Sequence, residues 1–159
     1  MASTRPLKLD KWGITWEEYK ELTYFCLQYN HKKRQADALL TIPSTTASPA
    51  TYHVNGREYG TFLPHGNQTG DPVVRIAERR ERLLDDVRMI ERAAREAGRL
   101  EKDGHDISAA LLKAVTTRGG VQAVMSKPGL RPPCGKNEFY AARRKFFWIL
   151  HAMRNGAEI

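Results

Sequence analysis

The sequence predicts a mostly α protein, a helical bundle with a C-terminal helix-turn-helix-like unit and a small β-hairpin or loop insertion. Three observations carry that reading. Apolar residues recur at steps of three and four along three separate runs, the spacing that lines up one face of a helix. Strong helix starts and stops punctuate those runs. A single stretch, residues 41–70, changes composition to Ser, Thr, Pro and Gly at its ends, as a connector does. The chain therefore divides into an N-terminal aromatic helical region (1–40), a connector with a possible hairpin (41–70), a long heptad helix (71–98) and a C-terminal unit (99–159).

The 159 residues suffice for one ordinary domain, and 41% hydrophobic content is enough for a core. Twenty-six Lys and Arg against eighteen Asp and Glu leave a formal charge of +8. That balance suits a polyanionic partner, because each phosphate neutralised releases counterions. Cys26 and Cys134 are the only cysteines. With no bridge framework and no C-x-x-C pair, neither a disulfide scaffold nor a zinc site is expected, and the five His show no ligand spacing. No signal-peptide core and no membrane-length apolar run occurs, so the expected home is the cytoplasm, away from the membrane.

Residues 1–11 are polar. Thr15 then starts a helix, with Glu18 as its reciprocal capping partner and Ile14 placed to meet Tyr19 as a hydrophobic staple. The helix runs through Trp16, Tyr19, Leu22, Thr23, Cys26 and Tyr29, an aromatic stripe expected to be core rather than a base-stacking surface. His31-Lys32-Lys33-Arg34, leading into a short helix at 35–40, reads as a solvated basic face or as a second phosphate contact, the former being favoured. Inside the connector, Thr51-Tyr52-His53-Val54 and Arg57-Glu58-Tyr59 flank Asn55-Gly56, a hairpin signal. A lone two-stranded ribbon is marginal in water, so a loop with a turn is the expectation unless it packs.

Asp71-Pro72 opens the long helix with a cap and an N1 proline. Val73, Ile76, Arg80, Leu83, Val87, Ile90, Ala94 and Ala97 form a heptad seam interrupted by Arg80, and Gly98 ends it. Intrachain packing on the aromatic helix is expected, with a homodimer through the 73–97 seam as a further option. Residues 106–117 read as a helix with Asp106 as N-cap and Ile107, Ala110, Leu111, Ala114 and Val115 on one side. Arg118-Gly119-Gly120 breaks it, residues 121–126 make a short second helix, and the prolines of 127–133 enforce a turn.

Residues 134–154 form the last helix, with Phe139, Ala142, Phe146, Leu150 and Met153 on its apolar stripe. Lys136, Asn137, Ala141, Arg144 and Lys145 fall away from it. A helix apolar behind and basic at its N-terminal front is built like a recognition helix, whose first turns enter the major groove of double-stranded DNA. In that reading Lys136, Asn137 and Tyr140 face base edges, since Lys suits guanine and Asn adenine. Arg131, Arg143, Arg144 and Lys145 clamp phosphates and set register. The competing reading is a packed helical hairpin whose cations only solvate its surface.

Enzyme chemistry is not expected. There is no phosphate-binding G-x-x-x-x-G-K-S/T loop, no G-x-S-x-G elbow and no H-E-x-x-H helix. Asp85 and Asp86 point to different sides of a helix. Cys134 lies near Lys136, which could lower its pKa, but with no His partner it reads as a structural or capping residue. Neither a cofactor nor a metal is expected.

These residues resemble a family. The Gly70-Asp71-Pro72 entry into an Arg/Glu-rich helix is similar to small regulators encoded by phages and prophages of Gram-positive bacteria. So are the 19–29 stretch, 111–117, Pro133-Cys134-Gly135 and the run from Phe139 to Phe147. The resemblance is to the ArpU and RinA groups of late transcriptional regulators, whose C-terminal unit looks like the helix-turn-helix with which a sigma factor reads a promoter. It implies a phage-derived DNA-binding regulator of transcription, with host RNA polymerase as a candidate partner. The chain departs from that pattern in the prolines of 127–133 and in bulky Phe139-Tyr140. Two other functions fit the same features. One is a terminase small subunit for DNA packaging, which also needs a helix-turn-helix and a ring-forming coiled coil. The other is a phage inhibitor that binds a host polymerase or nuclease through the aromatic helix.

Overall fold

The computed structural model describes residues 7–40, 51–54, 57–60, 72–99 and 105–157. The protein is mostly helical: α1 (Trp16–Leu27), α2 (Tyr29–Leu40), α3 (Pro72–Gly98), α4 (Ser108–Thr116), α5 (Gly120–Met125) and α6 (Lys136–Arg154). Between α2 and α3, β1 (Thr51–Val54) and β2 (Arg57–Gly60) pair antiparallel, with Tyr52 opposite Tyr59 and His53 opposite Glu58. Asn55-Gly56, the cap at Asp71 and most of the 41–70 connector lie outside the described residues. Two compact units result, Met1–Tyr29 with Arg88–Ile159, and Asn30–Val87.

In the first unit α1 begins where the sequence says it should. The Thr15 hydroxyl accepts the Glu18 N–H at 3.3 Å, and the Glu18 carboxylate accepts the Thr15 N–H at 2.7 Å. A 3-10 turn at Asp10–Trp12 precedes it and closes on Gly13, whose φ of 72° is the left-handed conformation that glycine adopts without strain. Leu9 and Ile14 are buried on either side of that turn. Helix α1 packs on α4 and α6, and α4 packs on α5 and α6.

The core is aromatic at its centre. Phe139, Phe146, Phe147, Leu111, Ile149 and Leu150 are all but fully buried, each contributing about 1.5–3 kcal/mol by leaving water. Phe146 and Phe147 meet edge-on at 5.1 Å, and Tyr19 meets Phe147 edge-on at 5.0 Å. The α6 stripe is therefore wider than its heptad-like spacing predicts, because Phe147 and Ile149 join it. Tyr29, the first residue of α2, donates to Glu91 of α3 at 2.5 Å; its burial and that bond raise its pKa.

Helix α3 ends against the start of α4. Ile107 N–H donates to the Gly98 carbonyl at 3.0 Å, and Arg99 bridges Asp106. Asp106 is not the N-cap of α4; that position is Ile107, while the Asp106 carboxylate accepts the Ser108 N–H at 2.8 Å and is held below its ordinary pKa by Ser108. Leu111, Ala114 and Val115 are buried as the spacing predicts, and Thr116, the buried polar residue of α4, donates to the Leu112 carbonyl at 2.8 Å.

In the second unit α2 carries the His31–Arg34 cluster within the helix rather than ahead of it. His31, Lys33 and Arg34 are exposed, while Lys32 reaches Asp86 of α3 at 2.6 Å. The α3 seam changes character along its length. Val73 is 43% exposed and Ile76, Arg80 and Leu83 are half-buried, whereas Val87, Ile90, Ala94 and Ala97 are buried within the chain itself. A second copy cannot use the whole 73–97 seam, because its C-terminal half is already covered.

Candidate nucleic-acid interface

Helix α6 starts at Lys136, two residues later than the spacing predicts, because Pro133, Cys134 and Gly135 are still extended or turning. Gly135 caps it with a β-region backbone, and the Glu138 carboxylate accepts the Gly135 N–H at 3.0 Å. Glycine has no side chain to return that bond, so only half of a capping box forms. Phe139 N–H closes the first turn onto the Gly135 carbonyl at 3.0 Å.

With the buried residues fixing the rotation of the helix, the outward arc follows. At 100° per residue, Asn137, Tyr140 and Arg144 fall within about 60° of one another, flanked by Lys136 on one side and Lys145 on the other. Lys136 and Asn137 are exposed, and Tyr140, Arg144 and Lys145 are half-exposed. Arg131 is exposed in the connector, its N–H turned back to the Lys127 carbonyl at 3.1 Å.

Arg143 leaves this group. Its Nη2 donates to the Tyr19 hydroxyl at 3.3 Å, its guanidinium lies 5.6 Å over the Phe147 ring, and its Nε is buried without a hydrogen bond among the described residues. The residue assigned to phosphate is spent on α1. One helical step, about 100°, separates it from Arg144 and carries it onto the flank that α1 covers.

The helix-turn-helix geometry also differs from the expected one. The tight pair is α4 with α5, joined by residues 117–119 and a Gly120 φ of 56°. Residues 126–135 then separate α5 from α6, and α6 takes its packing from α1 and α4. At six residues, α5 is too short to fill a groove, so the basic face belongs to α6 alone.

Sequence reasoning missed the aromatic side of this face. Leu22 and Cys26 of α1 and Tyr29 at the start of α2 are buried as the aromatic stripe predicts, but Trp16 is 52% and Tyr24 67% exposed. Trp148, four residues beyond Arg144, is 39% exposed and contacts Trp12 at 6.0 Å. A signal was available: in Phe147-Trp148-Ile149 three successive bulky residues cannot share one helical stripe.

The cysteines are chemically quiet. Burial pushes the Cys26 thiol up to about 12, against the lowering pull of Arg143 and Arg154. Cys134 is also raised, by burial and then by the Glu138 charge, so Lys136 does not activate it. At pH 8 roughly one Cys26 in ten thousand is thiolate. A colorimetric thiol titration of the native protein is therefore expected to count Cys134 alone, with the second thiol appearing only in denaturant; two rapid equivalents would mean that α1 is not seated on its core. Among the described residues no group of His, Cys, Asp and Glu could hold a metal ion, and no helix is long and apolar enough to cross a membrane.

Compared with protein-family models, curated proteins and solved structures, the chain finds no match.

Proposed function

We propose that this chain is a phage-derived DNA-binding regulator of transcription that meets its duplex through the opening turns of α6. One observation supports this reading above the others. Phe139, Ala142, Phe146 and Leu150 are buried while Lys136 and Asn137 are exposed beside them and Tyr140 and Arg144 remain open, so an anchored rod presents a cationic, hydrogen-bonding front. Lys136, Asn137 and Tyr140 are the base-facing candidates, and Arg131, Arg144 and Lys145 the phosphate contacts. The net charge of +8 supplies the long-range attraction and makes association salt-dependent.

The test is a gel-shift titration on duplexes selected from a random pool, repeated across a salt series. Lys136→Ala with Arg144→Ala is expected to weaken binding at least ~10-fold and to flatten the log–log salt slope by about 1, since Arg144 is the phosphate contact of the two. Unchanged affinity overturns the site. A solution mass equal to eight or more copies would move the protein from regulation to packaging.

A further inference from the structure

All three tryptophans of the chain are partly exposed, and two of them, Trp12 and Trp148, rest on each other. Trp12 rests on Trp148 at 6.0 Å, Trp16 rests on Tyr19 at 5.6 Å, and Tyr19 meets Phe147, the neighbour of Trp148. Trp12 of the 3-10 turn and Trp148 of α6 thus form one exposed ring pair, keeping 41% and 39% of their surface in water, while Trp16, 52% exposed, belongs to a separate ring series through Tyr19 to Phe147. Apolar surface left open on this scale, in one place, marks a binding site more often than chance.

Its surroundings decide what binds. Trp148 follows Arg144 by four residues and Lys145 by three, so both cations flank it on α6. Lys11 is exposed beside Trp12, with Asp10 on the other side of it. Lys20 stands 5.4 Å over the Trp16 ring and is tied to Glu17 at 3.0 Å. A second copy would set Arg144 and Lys145 against like charges, and an uncharged apolar segment would leave them covered and unpaired. A chain of flat rings linked by anions satisfies both features. We propose that the Trp12–Trp148 cluster stacks unpaired bases of single-stranded DNA, with Lys11, Arg144 and Lys145 taking the adjoining phosphates. The site continues the α6 front, since Asn137, Arg144 and Trp148 share one arc and span about 16 Å along the axis. The inference rests on the nucleic-acid reading of that face and shares Arg144 and Lys145 with it, but its stacking residues, Trp12 and Trp148, are not among those assigned to the duplex.

Because two of the three tryptophans form this pair, intrinsic fluorescence reports on it. The probes are a 20-nucleotide oligothymidylate and a duplex of equal length, added separately to the full chain. Quenching by the oligothymidylate is expected. Trp148→Ala should weaken it roughly five- to hundredfold, the range that loss of one stacked base gives. Trp148→Phe should restore most of the affinity. Trp12→Ala provides a second reading should Trp148→Ala melt below the parent protein. Lys136→Ala with Asn137→Ala should leave the single-strand affinity within twofold while weakening the duplex, so the two readings fail separately. Absence of quenching, equal affinity in both tryptophan variants, or a mass that doubles with concentration and reverts in Trp148→Ala would each overturn the proposal.

Discussion

Gly98→Ala is expected to lower the thermal midpoint by roughly 6–12 °C, a loss of about 3 kcal/mol for a protein of this size. On helix propensity alone the change should help, since alanine in a helix is favoured over glycine by about 1 kcal/mol. The packing reverses the sign. A Cβ at residue 98 would stand 2.5 Å from both the Cα and the N of Ser108. Those atoms are backbone at the first turn of α4, and they are held by Ile107 N–H to the Gly98 carbonyl and by the Arg99–Asp106 bridge. No rotamer change relieves such a contact; α4 would have to back away from α3. Because α4 also supports α6, the variant should weaken duplex binding as its fold loosens. Gly129→Ala is the control, for nothing lies within 4 Å of its Cβ, and its midpoint should move by no more than a degree or two. Equal melting of the two variants would show that the α3–α4 junction is not closed as described.

What could be read from the chain follows the range of the forces involved. The Thr15–Glu18 cap, the buried stripe of α6 and the buried side of α4 depend on residues within one or two turns, and spacing alone locates them. Arg143 could not be placed that way. It lies one residue from Arg144 and shares its chemistry, and only Tyr19, 124 positions away, draws it off the basic face. The same applies to Cys134, whose neighbour in sequence is Lys136 but whose pKa is set by burial and by Glu138, one turn into α6. The α3 seam looked uniform because heptad spacing records which residues could be covered and carries no record of what covers them. Trp16 departs from expectation for the opposite reason: a large aromatic at helical spacing is read as core, and its exposure is a property of the assembled surface.

Phe139→Ala separates the fold from the site most sharply and carries the larger expected effect. Phe139 has no exposed surface, and it lies in the first turn of α6, two residues from Asn137 and three from Lys136. Truncating it removes a buried ring and leaves a cavity, a loss of about 3–5 kcal/mol, which lowers the thermal midpoint by roughly 6–20 °C. The loss should fall unevenly. Phe146 and Phe147 would still hold the middle of α6, while the opening turn, held by Phe139 N–H on the Gly135 carbonyl and by the Gly135 N–H on Glu138, would fray first. Duplex affinity measured well below the lowered midpoint should therefore fall along with stability, because Lys136 and Asn137 lose their fixed direction. Its neighbour Tyr140 gives the reciprocal result. Half-exposed on the outward arc, Tyr140→Ala should change stability by less than about 1 kcal/mol while weakening the duplex. If Phe139→Ala leaves both quantities unchanged, the first turn of α6 is not anchored by its own core and cannot aim the residues that precede it.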